Sequence, residues 1–593
     1  MIPGVILSVK EFPLMSNRSK IDRKGLLSKY LNERNVKEDN VIEDSTPFMY
    51  IKSLLEKKLG FVINMNDTLI TAGGSSIDAV YLVNELNDKY NFVTERIPVS
   101  VVYESKVTLQ RLSEYVQVRL DTGTFGCSEY DYELEAKLDD DIRNGIIKLS
   151  YMDKERSALS NECVQSKLPL YISHAGCRDE ERNNSSHGSA FYNLPTILVT
   201  GSTGFLGRQL VIELAKQNVN IILLIRGREP RERFVRLASQ FKSFDAACMD
   251  KIKIVNGDLL QDNFGLSHRE YYTLAEQVDI VVHSAADISY IKVYEALREA
   301  NVIGTQRIIK FCSDTKLKYL HYVSSMGIFG PIGATRGWSD LSETRDYKEN
   351  LKFLHLENGY IQSKWVAEGI VRDAKACGLN VKIYRPGFVE SPLDGSLSNT
   401  SDFLCRYLKG CLDLGCYPNL PRKYWLITPV DFIAKVMTMS IMLSIEGIAN
   451  NVYEDTSVDG DITQLDLFHL TPESRDEFSN NELFEALIGY GYKLVCVPYH
   501  QWLLKVQGIM RDRDIEHPLY GVGSYITEKI YGGRHTILAM HHYTPPLVTT
   551  NLKEFIKCMN GRFDIDIEPI VWNEETFRGY IQHYIDQGWF PSV

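Results

Sequence analysis

The chain has 593 residues, 44% of them hydrophobic and 24% charged, with a formal net charge of −11 at pH 7. That length exceeds what one hydrophobic core serves, so several domains are expected, and the acidic balance argues against general nucleic-acid or anionic-membrane binding. No apolar run approaches the ~20 residues of a membrane span; MIPGVILSVK lacks a signal peptide's basic start and long apolar core, and the 11 scattered cysteines form no CxxC pair, which together predict a cytoplasmic protein with reduced thiols.

The stretch 1–30 opens MIPGVILSVKEFPLMSNRSKIDRKGLL, with Lys20 after Pro13-Leu14 and ahead of Ile21-Asp22-Arg23-Lys24. It resembles the closing tail of adenylate-forming enzymes, whose lysine at this place contacts the acyl-adenylate. Arg18-Ser19 stands where those enzymes carry one glycine. No adenylation core precedes the tail in this sequence, so the expectation is a core on another polypeptide or lost to a truncated gene model, with Lys20 inert.

Residues 44–120 read as a helical unit. PFMYIKSLLEKKLGF has the spacing of an amphipathic helix, IDAVYLVNELNDKY carries Ile77, Val80, Leu82, Val83 and Leu86 in an approximate stripe, and VTLQRLSEYVQ makes a last helix. Ser76 heads the second of these. A serine there serves as an N-cap, and a phosphodiester on it would meet the positive end of the helix dipole; the two roles are compatible. The run Asp67-Thr68-Leu69-Ile70-Thr71-Ala72-Gly73-Gly74-Ser75-Ser76-Ile77-Asp78-Ala79 resembles the attachment loop of acyl and peptidyl carrier domains. The resemblance implies a small all-α four-helix carrier domain with 4′-phosphopantetheine on Ser76, installed by a phosphopantetheinyl transferase. Ser75 replaces the histidine or aspartate usual before the modified serine.

Residues 121–190 are acidic, irregular and finally polar, ending CRDEERNNSSHGS, a composition that predicts a partly disordered linker. Such a segment reads equally as a plain spacer or as the tether of a substrate arm, raising the local concentration of what it carries.

The stretch 191–593 starts with Ile197-Leu198-Val199 and passes through Thr200 into Gly201-Ser202-Thr203-Gly204-Phe205-Leu206-Gly207 before RQLVIELAKQ. Strand, glycine turn and helix in that order let backbone approach a pyrophosphate and set helix N–H groups against its charge. The second strand, Asn220–Ile225, ends in Arg226-Gly227-Arg228 rather than in the acid that binds an NAD ribose. Arg226 suits the 2′-phosphate of NADP; its plainer reading is a solvated strand-end charge. KIKIVNGDL, DIVVHSAA, YLHYVSS and NVKIYRPGF are short β-branched runs between helical segments, which predicts an α/β Rossmann-type, doubly wound parallel sheet covered on both faces.

Tyr360 and Lys364 stand one helical turn apart on one face, a spacing also common on exposed helices. An ammonium beside the phenol is expected to lower the Tyr360 pKa and make it a usable proton donor. Ser324-Ser325 end an apolar strand at its carboxyl end, where open α/β sheets bind ligands. No metal site is predicted: the Cys411–Cys416 spacing is poor for zinc, and His541-His542 lack a third ligand nearby.

Glycine loop, Tyr-x-x-x-Lys and strand-end serine together resemble an extended short-chain dehydrogenase/reductase. The resemblance implies catalysis by Tyr360, Lys364 and Ser325. It implies NADP(H) contacts from residues 201–207, Arg226, Asp258, Leu259, Ala285, Ala286, Tyr360 and Lys364. Ala285 and Ala286 are equally read as small residues that permit close packing. The order tail, carrier, reductase, with HYVSS, GYIQSKWVAE, YRPGFV, TPVDFIA and GYKLVCVPYHQW, resembles the C-terminal part of adenylation–thiolation–reductase proteins. These comprise aminoadipate reductases, carboxylic acid reductases and reductase-terminated nonribosomal peptide synthetases.

That likeness implies that NADPH reduces a pantetheine-bound acyl thioester loaded by an adenylation domain. Tyr360 and Ser325 would polarise the carbonyl, Lys364 would tune Tyr360 and hold the nicotinamide ribose, and a hemithioacetal would collapse to an aldehyde, reducible further to an alcohol. A Rossmann core is expected over about 195–450 and a C-terminal substrate or lid subdomain over about 390–593. Glu390, in place of a glycine after YRPGFV, and Ala286-Asp287-Ile288-Ser289, in place of Ala-x-Val-Asn, fall on the substrate side. Two readings stay open beside this one: a dehydrogenase acting on a free small carbonyl or nucleotide sugar, and a non-catalytic carrier remnant serving as an interaction module.

Overall fold

The computed structural model describes residues 46–122 and 194–593, except 70, 75, 91–96, 98–101 and 103–106 in the first stretch and 291, 331–339, 346–353, 355–356, 401, 450–464, 528, 531–534, 537, 539–544 and 561–564 in the second. The tail with Lys20, Ser75, His541-His542 and the predicted linker beyond 122 lie outside the described residues. Two compact units are resolved.

In the first unit three of the four expected helices are among the described residues: α1 (Pro47–Leu59), α2 (Ser76–Lys89) and α3 (Leu109–Thr122). Pro47 fills the first turn of α1, where a missing N–H costs nothing, and Thr46 Oγ1 accepts from Met49 N at 3.4 Å. The helix stops at Gly60, whose φ of 80° is the left-handed conformation glycine adopts without strain. Ile51 and Leu55 from α1, Val80, Leu82, Val83 and Leu86 from α2, and Leu109, Leu112 and Val116 from α3 are buried together. The stripe predicted on α2 thus turns inward, the Ile77 side chain lying outside those described. Buried Asn87 pins the segment after α2: its Oδ1 accepts from Ile97 N at 2.7 Å and its Nδ2 donates to Ile97 O at 3.2 Å.

The second unit is organised by a seven-stranded sheet of β1 (Thr196–Thr200), β2 (Asn220–Leu224), β3 (Ile252–Val255), β4 (Ile280–His283), β5 (Tyr319–Val323), β6 (Val381–Pro386) and β7 (Leu467–Leu470). The spatial order is β3-β2-β1-β4-β5-β6-β7, and every pairing is parallel. Alternate side chains feed two cores. Leu198, Val281, Leu320 and Tyr322 meet Trp365, Val366 and Ile370 of α5 (Gly359–Ala376) on one face. Ile197, Val199 and Val282 meet Leu210 and Val211 of α4 (Phe205–Ala215) and Ile433 and Met437 of α7 (Val430–Ala449) on the other. Burial on both faces is why these strands read as continuous apolar runs.

The Rossmann core reaches further than the boundary expected near 450. β7 extends the sheet beside β6, and Leu552, Phe555, Ile556 and Met559 of α8 (Thr550–Met559) join the core of the α4 face. The apolar run of β7 is four residues long, too short to signal a sheet strand from sequence, which is why the expected boundary falls before it. Among the described residues no helix is long and apolar enough to cross a membrane.

Candidate active site

The chain changes its direction of travel across the sheet between β1 and β4, which leaves a crevice at their carboxyl ends. Thr200 pairs with Leu224 of β2 and His283 of β4 in register. Thr200 Oγ1 lies 2.8 Å from His283 Nδ1, and His283 Nε2 lies 3.1 Å from Thr305 Oγ1. Burial, with Lys364 adding, lowers the His283 pKa to about 3, so the imidazole is a neutral strut between strands and helix.

Above it lies a cleft of about 770 Å³. Gly201 turns with φ 73°, and a Cβ there would stand 2.6 Å from Ala285 N, so the glycine loop and the β4 end can close up only without a side chain. At Gly207 a Cβ would stand 2.2 Å from Gly201 O. Gly204 precedes α4 without a side-chain cap, and Gly204, Phe205, Leu206 and Gly207 all line the cleft. A narrow glycine turn on an uncapped helix N-terminus fits a dinucleotide pyrophosphate. Ser202 departs from expectation: it is 1% exposed and is not among the lining residues, because the turn folds it beneath the loop.

Thr203, Arg226, Asp258, Leu259, Ala285, Ala286, Ser325, Tyr360 and Lys364 line the same cleft, so the structure gathers these predicted residues around one space. Arg226 Nη1 lies 3.7 Å from Asp258 Oδ1, and Arg233, which also lines the cleft, donates to Arg226 O at 3.3 Å. Ser325 caps the turn Met326–Phe329, its Oγ accepting from Gly327 N at 3.1 Å.

One electrostatic expectation is overturned. Lys364 Nζ donates to Tyr322 Oη at 2.7 Å and Val323 O at 2.6 Å, reaching to β5. Burial, and after it the Asp402 carboxylate, pushes the Tyr360 pKa up, so the phenol is held protonated. The shared helical face was legible, but the long lysine stem carries the ammonium past the phenol to the strand. Burial itself brings Lys364 down to about 7, with Glu368 acting the other way.

Asn301, in a π-helical turn (Glu299–Ile303), ties the floor together. Its Oδ1 accepts from Asp287 N at 2.7 Å, and its Nδ2 donates to Asp287 O at 3.0 Å and Ser363 Oγ at 2.9 Å.

Comparison with known proteins agrees with this geometry. Residues 50–116 match the phosphopantetheine attachment site model and residues 199–437 the NAD-binding male sterility protein model. The chain joins a carrier domain to a male-sterility-type NAD-binding domain. Its cofactors are accordingly 4′-phosphopantetheine and a nicotinamide dinucleotide. It is 27% identical over 521 residues to the nonribosomal peptide synthetase asaC of Aspergillus flavus, covering 86% of this chain and 45% of that protein. It is 27% identical over 545 residues to L-2-aminoadipate reductase of Schizosaccharomyces pombe, covering 89% and 34% respectively. The chain thus spans less than half the length of either relative. The terminal R domain of the myxalamid pathway superposes with TM-score 0.54 at 27% identity, over 68% of this chain and 93% of that one. A thiolation-reductase di-domain from an archaeal non-ribosomal peptide synthetase shares the fold, with TM-score 0.56 at 16% identity over 93% and 100% of the two chains.

The motifs pointed to little of the far wall of the NAD-binding domain's cleft. Tyr290, Phe388, Asp402, Lys423, Trp425 and Tyr525 line it, from segments widely separated in sequence. Tyr290, just past the substrate-side departure at 286–289, and Phe388, inside YRPGFV and two residues before Glu390, had a sequence signal near them.

Proposed function

We propose that the chain reduces a carrier-bound acyl thioester with NADPH and releases the acyl group as an aldehyde. The observation that carries the reading is the convergence of Tyr360, Ser325 and Lys364 with the glycine loop on one cleft, in a chain that also bears an attachment-site domain. NADPH, when bound, supplies the hydride. Gly201 and residues 203–207 would cradle its pyrophosphate, Arg226 with Arg233 beside it would favour a 2′-phosphate over a ribose hydroxyl, and Ala285 and Ala286 would leave room for the cofactor to pass. Tyr360, protonated and near the carbonyl, donates to the oxygen on which negative charge develops, and Ser325 Oγ adds a second hydrogen bond there. Lys364, held by Tyr322 Oη and Val323 O, fixes the amine beneath the site.

Ser76 begins α2, and Gly73, with φ 86°, shapes the turn before it. In this reading it carries the pantetheine arm, a phosphopantetheinyl transferase installs the arm and an adenylation domain supplies the acyl group. The domain division follows: carrier over 44–120, a connecting segment, then the reductase, acting in the cytoplasm. Loading the full chain with a transferase and an acyl-coenzyme A and adding NADPH tests it. Aldehyde should appear with NADPH consumption. A loaded chain that binds NADPH but consumes none, on tethered or soluble thioester, overturns the reading.

A further inference from the structure

We infer that Glu390 is a positioning residue: through its hydrogen bond to Tyr584 it holds the C-terminal helix α9 (Glu574–Asp586) behind one wall of the cleft, and so fixes where Phe388 and Asp402 stand. The inference rests on the thioester-reductase reading and adds to it a residue that lies outside the cleft.

Glu390 ends the short strand Phe388–Glu390. Phe388 and Val389 line the cleft, whereas Glu390 does not and is 0% exposed. Tyr584 Oη donates to Glu390 Oε2 at 2.7 Å, and Tyr580 Oη lies 2.8 Å from Tyr584 Oη. Around this contact, α9 and the residues after it grip one stretch of the wall. Gln587 Oε1 accepts from Ser398 N at 2.8 Å, Gln587 Nε2 donates to Gly395 O at 3.3 Å, and Trp589 Nε1 donates to Cys405 O at 3.4 Å. Cys405 belongs to α6 (Phe403–Leu414), whose cap Asp402 lines the cleft. Asn399, also a lining residue, donates from Nδ2 to Val389 O at 3.3 Å. Ahead of α9, Trp572 Nε1 donates to Ile427 O at 2.9 Å, and Ile427 pairs with Phe388. No described residue of α9 lines the cleft, so the helix acts on it through this wall. The glycine expected at 390 would offer Tyr584 no side-chain acceptor.

The groups that face Glu390 are acidic or neutral: Asp402 and Cys405 from α6, Tyr580 and Tyr584 from α9, and Tyr290. Arg406 of α6 acts on Asp402 and Cys405. Burial, and after it the Asp402 carboxylate, raises the Glu390 pKa well above the ordinary carboxylate range, and the hydrogen bonds of Tyr584 and Tyr580 do not outweigh them. A protonated carboxyl still accepts from the phenol and brings no charge into an aromatic wall. The folded chain thus keeps a proton that the unfolded chain gives up above pH 4.5. This carboxyl therefore costs stability as pH rises from there toward its folded pKa.

The test uses the full chain with NADPH and hexanoyl-pantetheine as a soluble thioester, in wild type, Glu390→Leu, Tyr584→Phe and Glu390→Gln. The first two variants remove the acceptor or the donor. They should lower kcat/KM for the thioester by roughly tenfold or more, as a small displacement far from the chemistry can, while NADPH affinity by fluorescence titration stays near wild type. Glu390→Gln keeps an uncharged acceptor of the same size and should restore kcat/KM. Its melting temperature should also fall less than that of wild type as pH rises above 4.5. A folded Tyr584→Phe with wild-type kinetics overturns the proposal and leaves the reductase reading standing. So does a Glu390→Gln variant as impaired as Glu390→Leu, or one whose melting temperature follows wild type over that pH range. Equal losses of thioester turnover and NADPH affinity overturn it too, since the contact then supports the whole domain. If wild type reduces no thioester, the reductase reading falls and the proposal with it. Should Glu390→Leu fail to fold, Tyr584→Phe, which loses a single hydroxyl, decides.

Discussion

At Tyr360 burial disfavours the phenolate. Burial, and after it the Asp402 carboxylate, raises the phenol's pKa, so Tyr360 stays protonated in the cleft until a substrate oxygen gains charge beside it. Tyr360→Phe keeps the ring and removes the proton. It should lower kcat/KM for a soluble acyl thioester by about 10²–10⁴-fold while NADPH affinity, read by fluorescence titration, stays near wild type. Arg226 is a different kind of residue: its side chain is 63% exposed, and its carboxylate neighbour Asp258 is 3.7 Å away, an arrangement that adds little stability. Its value lies in binding. Arg226→Ala should weaken NADPH by roughly ten- to a hundred-fold and NADH hardly at all. Equal losses for both cofactors in the same titration would make Arg226 structural.

At the scale of elements, the catalytic helix α5 is locked to the sheet by a buried ion pair. Arg385 on β6 donates from Nη2 to Glu368 Oε1 at 2.5 Å and from Nε to Oε2 at 3.1 Å, both side chains being 0% exposed. Ser324 Oγ donates to Glu368 Oε2 at 2.6 Å, so the strand end that presents Ser325 and the helix that presents Tyr360 share one anchor. Burial alone would raise the Glu368 pKa, but Arg385, Arg372 and the hydrogen bonds outweigh it and hold it at about 2, against 4.5 unperturbed. A depressed carboxylate pKa contributes stability that is complete above pH 4.5 and is lost as pH falls toward 2. Glu368→Gln should destabilise by about 3–5 kcal/mol, since it strands the Arg385 charge in the core. Its melting temperature should also fall less steeply than wild type's over that acid range. A variant as acid-sensitive as wild type would mean that another carboxylate governs acid unfolding.

At the scale of the molecule, the prediction concerns division of labour. Ser76→Ala should abolish turnover of a tethered acyl group, because it removes the covalent arm and the local concentration the arm provides. Reduction of a soluble thioester should be unaffected, since the glycine loop and Tyr360 belong to the other unit. Mass spectrometry after incubation with a transferase and coenzyme A should show the pantetheine adduct on wild type and none on the variant. Equal damage to both reactions in a folded variant would remove the delivery role from Ser76.

What could be read from the chain was whatever depends on local order. The strand–glycine–helix sequence at 196–215 dictates a turn with positive φ and an uncapped helix start, so the glycine-loop side of the cleft was legible apart from Ser202. The α2 stripe and the doubly apolar strands announced a helical unit and a parallel sheet for the same reason: periodicity is a local property. Only the tertiary structure decided the rest. Ser202 faces away because the turn, not the motif, orients it. Lys364 serves Tyr322 because β5 lies within reach of its stem. β7 enters the sheet because β6 offers an open edge far from it in sequence. The aromatic wall with Asp402 assembles from segments between 290 and 525, and no local pattern records that they meet.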